Sequence, residues 1–170
     1  MLRWLLRRKL DAEERKLGES MDYLRHIVDE SPASFLRFAS IMPFVNSRKV
    51  LPKQAWFAAQ ITTLRHEDCG PCLQIAVNLA KQHGVGTELI RAILDKDATI
   101  LTQEMTEVCD FTMSILSCSD DSTLREALRA RYGERGLIEL AYAISSSRIP
   151  PTVKRVLGYA TSCSKVTIHT

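Results

Sequence analysis

The residues with the clearest chemical potential in this sequence are two cysteines, Cys69 and Cys72, within the segment His-Glu-Asp-Cys-Gly-Pro-Cys at 66–72. Two thiols at this spacing can act as a redox dithiol or supply half of the ligands of a metal site. They can also be inert side chains kept for packing. The redox interpretation is favoured and metal binding is the least favoured, because no second CxxC or HxxxH motif completes a four-ligand site.

An apolar helical run follows Cys72 directly. Pro71 suits the first turn of a helix, Lys81 suits the last turn, and Gly84 suits the position just beyond it. The two sulfurs are therefore expected at the positive end of a helix dipole, where unpaired N–H groups favour a thiolate. Charged residues precede the motif. Arg65 and His66 favour a thiolate, as the helix dipole does, whereas Glu67 and Asp68 oppose it.

Length and composition indicate one ordinary globular domain. The chain has 170 residues, of which 45% are apolar, and a net charge of +3 that is too small to suggest a nucleic-acid partner. No window approaches the roughly 18 apolar residues of a membrane span. Five cysteines without a secretory segment argue against a disulfide-stapled extracellular fold and favour a reducing cytoplasm.

Apolar residues recur at helical spacing, and no convincing segment alternates with a period of two. This pattern predicts an all-α fold of about eight helices, a single-domain bundle with an N-terminal helical arm at 1–30 and a helical core at 31–170 that carries the CxxC site. The predicted starts and breaks along the chain are Ser20, Ser31-Pro32, Pro52, Thr87, Thr102, Asp120-Asp121-Ser122, Gly136 and Pro150-Pro151.

The N-terminal arm has two interpretations. Residues 1–17 combine leucines at helical spacing with a basic cluster, which is typical of a helix lying on a membrane surface. The same stripe suits an arm packed on the protein body or on a partner subunit. Packing is the favoured interpretation, because three acidic residues that would repel an anionic membrane follow at once: Asp11, Glu13 and Glu14.

A helix that leads into a CxxC at the start of the next helix, followed by the turn His-Gly-Val at 83–85, resembles the alkyl hydroperoxidase D-like / carboxymuconolactone decarboxylase superfamily. The segment 124–144 is similar to the helical pair that follows the core in that superfamily. The resemblance covers roughly 31–158. It implies an alkyl hydroperoxidase D-like bundle, a homo-oligomer, Cys72 as the attacking thiol, Cys69 as the resolving thiol, and a dithiol protein as reductant.

The family pattern also contains a glutamate upstream of the CxxC and a histidine four residues after the second cysteine, which relay protons to the reactive thiol. Here Ala76 occupies the histidine position, and no acidic residue lies between Glu30 and His66. Peroxide reduction is therefore expected to be slow, since general acid–base help is typically worth about 10²–10⁴ in rate. His66, Glu67 and Asp68 are the local candidates to substitute.

The sequence therefore predicts a thiol–disulfide oxidoreductase or weak (hydro)peroxidase with Cys72, Cys69, His66 and Glu67 as candidate site residues. A small molecule or peroxide is the expected substrate, and no metal or other cofactor is expected. One alternative is a non-catalytic helical oligomer or binding module with structural cysteines. Another is a non-redox carboxymuconolactone decarboxylase-like lyase, which a pocket lined by Trp56 or Gln60 would favour. The two remaining helical cysteines are expected to be small core residues: Cys109 and Cys118.

Overall fold

The computed structural model describes residues 1–41, 48–97, 99–160 and 166. Within these ranges the chain forms eight α-helices and no strand, which confirms the all-α prediction. None of the described helices is long and apolar enough to cross a membrane. The helices are α1 (Leu2–Leu17), α2 (Asp22–Glu30), α3 (Pro32–Ala39), α4 (Lys53–His66), α5 (Gly70–Gln82), α6 (Thr87–Asp95), α7 (Gln103–Leu116) and α8 (Ser122–Val156).

Helix α4 is the centre of the main core. Every residue from Ala55 to Leu64 is buried, and α5, α6, α7 and α8 all pack against it. A helix that is covered on all sides has no solvent-facing stripe, so its residues are apolar or small. The buried hydroxyl of Thr63 donates to the carbonyl oxygen of Ala59 at 2.8 Å, which satisfies the polar group inside the helix.

Helix α8 holds the segment that leads into α4. The nearly buried carboxylate of Glu139 accepts backbone N–H groups from Lys49 at 2.8 Å, from Val50 at 3.0 Å and from Leu51 at 2.7 Å. Burial alone would raise the pKa of Glu139, but these three donors outweigh it, and the pKa lies below its ordinary value. Three backbone donors that would otherwise lack partners are thereby satisfied by one side chain.

The course of α8 bears out one sequence prediction and corrects another. The sequence pattern predicts a helix over 124–132 and a new helical run after Gly136, and the residue after Tyr132, Gly133, is indeed non-helical, with φ 68° and ψ 178°, a conformation essentially restricted to glycine. The expected helix start at Pro150 is wrong, because Pro150 and Pro151 lie inside α8. Proline has a helical φ, but inside a helix it lacks an N–H donor and its ring crowds the carbonyl four residues earlier. The buried residues around the two prolines, Ser146, Ser147, Pro151 and Lys154, pack the segment in place despite this cost.

Three predicted helix caps are confirmed by side-chain hydrogen bonds. Ser31 accepts from the N–H of Ser34 at 3.1 Å, Thr102 from Met105 at 3.3 Å, and Asp121 from Leu124 at 2.9 Å. Two others are displaced by one residue, because the N-caps of α2 and α6 are Met21 and Gly86, and neither has a side-chain cap. Ser20 still accepts from the N–H of Asp22 at 3.1 Å.

A second, smaller apolar cluster joins the N-terminal helices to the body. Its buried members are Leu10, Met21 and Val28, with Phe35 of α3 and Ile75 of α5 packed against them. By packing, α3 therefore lies with α1 and α2, while the domain boundary at residue 30 stays a prediction. Helices α1 and α2 are also linked by Arg25, which binds the carboxylates of Asp11, Glu14 and Asp22.

Lys154 is a buried cation between α8 and α2. Its side chain is 4% exposed, and its Nζ lies 5.0 Å from the centroid of the Tyr23 ring. Burial lowers the pKa of Lys154, and the charge of Glu19 opposes this only in part. The ring face of Tyr23 therefore supplies the main described contact for a charge that has left water.

We expect this burial to appear as a pH dependence of stability. A lysine whose folded pKa is lowered binds fewer protons than the unfolded chain, so the free energy of unfolding rises as pH increases from the folded pKa toward the ordinary value of 10.5. Burial raises the pKa of Tyr23 to about 12, so this residue lowers stability as pH approaches its unfolded value, but it is present in wild type and variant alike and largely cancels in their comparison. Urea unfolding should show that, between about pH 7.5 and about pH 9.5, the free energy of unfolding of the wild type increases relative to that of Lys154→Met.

The exposed Lys96 provides the matched control for this measurement. The difference between wild type and Lys96→Met should stay constant over the same range, because that side chain is solvated in both states. If the free energy of unfolding of the wild type, relative to Lys154→Met, stays constant or falls as pH rises, the lowered pKa of Lys154 is contradicted.

A second expected outcome concerns Gly136. A Cβ at this position would collide with the Cβ of Tyr132, whereas a Cβ at Gly86 would meet nothing within 4 Å. Gly136→Ala should therefore lower the free energy of unfolding by about 1–3 kcal/mol, and Gly86→Ala should lower it less, by at most about 1 kcal/mol, because alanine is only a poorer N-cap for α6. Urea denaturation of both variants tests the difference, and equal effects would show that the helix accommodates the added methyl group.

Candidate functional site

The candidate site lies at the turn between α4 and α5. Helix α4 ends at His66 with Glu67 as its C-cap, and Asp68 then adopts the left-handed conformation, with φ 50°. Aspartate tolerates this conformation better than most residues do. The chain thereby reverses, and Cys69 becomes the extended N-cap of α5. The predicted helix start at the CxxC motif is confirmed.

Cys69 and Cys72 are paired as a disulfide, with their Cα atoms 5.3 Å apart. Cys69 is the N-cap of α5, and Cys72 occupies the third helical position, so both sulfurs belong to its first turn. Cys69 is 0% exposed and Cys72 is 6% exposed. The pair is therefore nearly enclosed, and Cys72 is the more accessible of the two.

The start of α5 gives the sulfurs an electropositive surrounding. The N–H groups at the first positions of a helix have no partner inside it, and the helix dipole adds partial positive charge at this end. The first bond inside the helix runs from the N–H of Leu73 to the carbonyl of Cys69 at 2.9 Å. The side chain of Cys69 makes no capping hydrogen bond in the disulfide state.

Two arginines of α8 bind the residue just before this turn. Arg148 Nε donates to Oε1 of Glu67 at 2.8 Å, and Arg155 Nη1 donates to Oε2 at 3.4 Å. Arg155 Nη2 also donates to the backbone carbonyl of Glu67, at the negative end of α4. The structure thus gives Glu67 an anchoring contact that no local pattern could reveal, because its partners lie 81 and 88 residues further along the chain.

The other flanking residues are less constrained. His66 and Asp68 are exposed, and among the described residues His66 makes no hydrogen bond to either sulfur. The proton-relay roles of His66 and Glu67 stay predictions. Ala76, at the position of the family's histidine, is buried in the main core one turn beyond Cys72, so its methyl group faces packed side chains instead of serving an acid–base role.

A cavity of about 430 Å³ lies between α4, α6 and α7. Neither Cys69 nor Cys72 lines it, and neither Trp56 nor Gln60 lines this cavity or a second one of about 210 Å³. The residues that line the larger cavity are Thr62, Arg65, His66, Ile93, Lys96, Leu101, Thr106, Cys109, Asp110 and Met113. His66 therefore lines a cavity that neither cysteine of the dithiol lines.

The remaining described cysteines differ from the pair and from each other. Cys109 is a partly buried free thiol whose pKa is raised chiefly by burial, with the hydroxyl of Thr62 opposing. The prediction that Cys118 is a core residue is wrong, because it is exposed and adopts a left-handed conformation just after α7 ends. Among the described residues there is no cluster of three or more His, Cys, Asp or Glu side chains placed to hold a metal ion.

No protein-family model, curated protein or solved structure matches this chain. The superfamily resemblance noted from the CxxC and its helical context therefore stays a prediction. The geometry of the α4–α5 turn is the remaining basis for a function.

We expect the arginine anchor to stabilise this turn. Glu67→Gln keeps the shape of the side chain and removes its charge, so both ion pairs weaken. The free energy of unfolding should fall by about 1 kcal/mol, a modest value because both arginines are half exposed. Backbone amides at 66–70 should also exchange with deuterium faster, since the turn opens more readily.

Glu107→Gln is the matched control, because Glu107 is similarly covered and pairs with one half-exposed arginine, Arg131. This variant should leave exchange at 66–70 unchanged. If both variants, or neither, accelerate exchange at the turn, then Glu67 is not its anchor.

Proposed function

We propose that this protein is a thiol–disulfide oxidoreductase with weak peroxidase activity, which acts through Cys69 and Cys72. The observation that carries the proposal is the pairing of these two cysteines in the first turn of α5. Helix N-termini are the positions at which thiolates are stabilised, and thiolates are the reactive form of cysteine. The alkyl hydroperoxidase D-like type of bundle implied by the resemblance, and the cytoplasmic location favoured by the cysteine content, are part of the same proposal.

The proposed reaction has two steps that balance. The Cys72 thiolate attacks one peroxide oxygen, so that an S–O bond forms and the O–O bond breaks, and Cys72 becomes a sulfenic acid. The alkoxide or hydroxide that leaves takes up a proton and departs as alcohol or water. Cys69 then attacks the Cys72 sulfur and expels water to form the disulfide. The two thiols lose two electrons in total. A dithiol protein restores them by thiol–disulfide exchange.

Exposure supports the assignment of the two thiols. Cys72 is slightly exposed and Cys69 is fully buried, so an incoming peroxide or partner sulfur reaches Cys72 first. The resemblance assigns the attacking role to Cys72 as well. Cys69 then serves as the resolving thiol, which needs access only to its neighbour in the same turn.

The proposed peroxidase activity is weak because the proton relay is incomplete. Ala76 supplies no acid–base group one turn beyond Cys72. Glu67 is engaged by two arginines. The expected deficit relative to a complete relay is about 10²–10⁴ in rate. Exchange with another dithiol needs less proton transfer and is the faster of the two proposed activities.

The competing hypotheses differ from this one in observable ways. Structural cysteines would form a disulfide that stays oxidised or reduces without chemical consequence. A decarboxylase-like lyase gains no support from the described cavities, since neither is lined by Trp56 or Gln60. Self-association, which the resemblance implies, is proposed with the redox function but is independent of it.

Alkylation against pH tests the proposal on reduced protein. In Cys69→Ser, reaction of Cys72 with iodoacetamide should show a midpoint below the free-cysteine value of about 8.5. The described part of the same chain contains two reference thiols: Cys118 is exposed and serves as the accessible reference, and Cys109 should react more slowly because it is partly buried. Mass spectrometry of the peptides separates the three.

Peroxide treatment completes the test. Oxidised wild type should contain a 69–72 disulfide, and Cys72→Ser should lose peroxide consumption while Cys118→Ser retains it. If the thiols at 69 and 72 both titrate at or above about 8.5 and no internal disulfide forms, the redox proposal is wrong and the cysteines serve packing.

A further inference from the structure

Helix α1 accounts for the net positive charge of the whole protein. Residues 1–17 contain six Lys or Arg and three Asp or Glu, whereas the full chain has 23 basic and 20 acidic residues. The excess of three positive charges therefore lies entirely in this helix, and the rest of the sequence is balanced. Such asymmetry points to an interaction surface on α1.

The two sides of α1 differ in what they contact. Leu6, Leu10 and Leu17 belong to the small apolar cluster and face the protein body. The outer face has two rows at helical spacing, one opposite the body-facing row and one beside it. Its exposed members are Trp4, Arg8 and Arg15 in one row and Leu5, Lys9 and Lys16 in the next.

The acidic residues of α1 do not cancel the charge of this outer face. Asp11 and Glu14 bind Arg25 of α2 at 2.7 Å and 2.6 Å, so part of their negative charge is offset from outside α1. Glu13 is exposed and lies one turn from Lys9 and from Lys16, so it offsets part of the charge of that row. The outer face stays net positive, because its four cations outnumber these carboxylates.

The first turns of α1 add apolar side chains to the cationic face. Trp4 is 57% exposed and Leu5 is 52% exposed, with Leu2 exposed to a similar extent. The guanidinium of Arg8 lies 4.9 Å from the centre of the Trp4 ring. An exposed indole beside leucine and basic residues is the arrangement by which helices bind the headgroup region of a bilayer.

We propose that the outer face of α1 docks on an anionic lipid surface. Four cations contact lipid headgroups, and Trp4 and Leu5 enter the boundary between headgroups and hydrocarbon. A second copy of the chain is a poorer occupant, because two such faces would bring four cations against four. A nucleic acid would engage the cations but would leave Leu5 without an apolar partner.

Tryptophan fluorescence measures this docking directly. The chain has two tryptophans, and Trp56 is buried, so a change in emission on adding vesicles reports Trp4. Vesicles with about 30 mol% phosphatidylserine at about 0.1 M salt should bind the intact protein and shift its emission to the blue. Pure phosphatidylcholine vesicles should bind at least about tenfold more weakly, and about 0.5 M salt should weaken binding to the anionic vesicles.

Variants separate the outer face from general charge. Lys9→Glu with Lys16→Glu should weaken vesicle binding at least about tenfold. The control is Arg91→Glu with Arg135→Glu, which changes net charge equally at exposed residues of α6 and α8 and should have little effect. Trp4→Ala should also weaken binding, and circular dichroism should show that each variant keeps its helix content.

Four outcomes would overturn the proposal. They are absence of binding to anionic vesicles, equal loss in the two charge variants, sedimentation with vesicles without a change in Trp4 emission, and a change of oligomer mass in the α1 variants while lipid binding persists. The last outcome would assign the outer face to self-association.

Discussion

The burial of the middle of α4 is the constraint on which the rest of the structure depends. Ten consecutive buried residues, from Ala55 to Leu64, leave this part of the helix no free side, so neighbouring helices must enclose it. The second part of α8 lies alongside and fixes both ends: Glu139 binds the backbone just before α4, and Arg148 and Arg155 bind Glu67 just after it. Each end of a buried helix has backbone groups that need partners, and α8 supplies them.

This constraint sets the position of the dithiol. Because Glu67 is tied to α8, the left-handed turn at Asp68 starts from a fixed point, and Cys69 begins α5 beside the packed core. Alignment of the two sulfurs thus comes from contacts over 80 residues away in sequence. A CxxC motif needs such support, since a turn held only by its own residues would sample many geometries.

The sequence predicts what local physics controls. Helical periodicity indicates the all-α class, and the caps at Ser31, Thr102 and Asp121 follow from side chains three residues from their partners. The paired cysteines are likewise local. Long-range choices are not predictable in this way: Pro150 continues α8 instead of starting a new helix, and the partners of Glu67 and Glu139 are known only once the helices are packed.

The electrostatic balance at the site also changes once packing is known. From the sequence, the two acids before the motif oppose thiolate formation. In the structure Glu67 faces two guanidiniums, so this group of three charges is net positive close to the first turn of α5. The remaining acid, Asp68, is exposed, and water screens its charge. Burial of the sulfurs acts against a thiolate, as it does at Cys109, but Cys109 lies in the middle of α7 and gains nothing from a helix start. Their position at the N-terminal start of α5 is therefore what distinguishes Cys69 and Cys72 from Cys109.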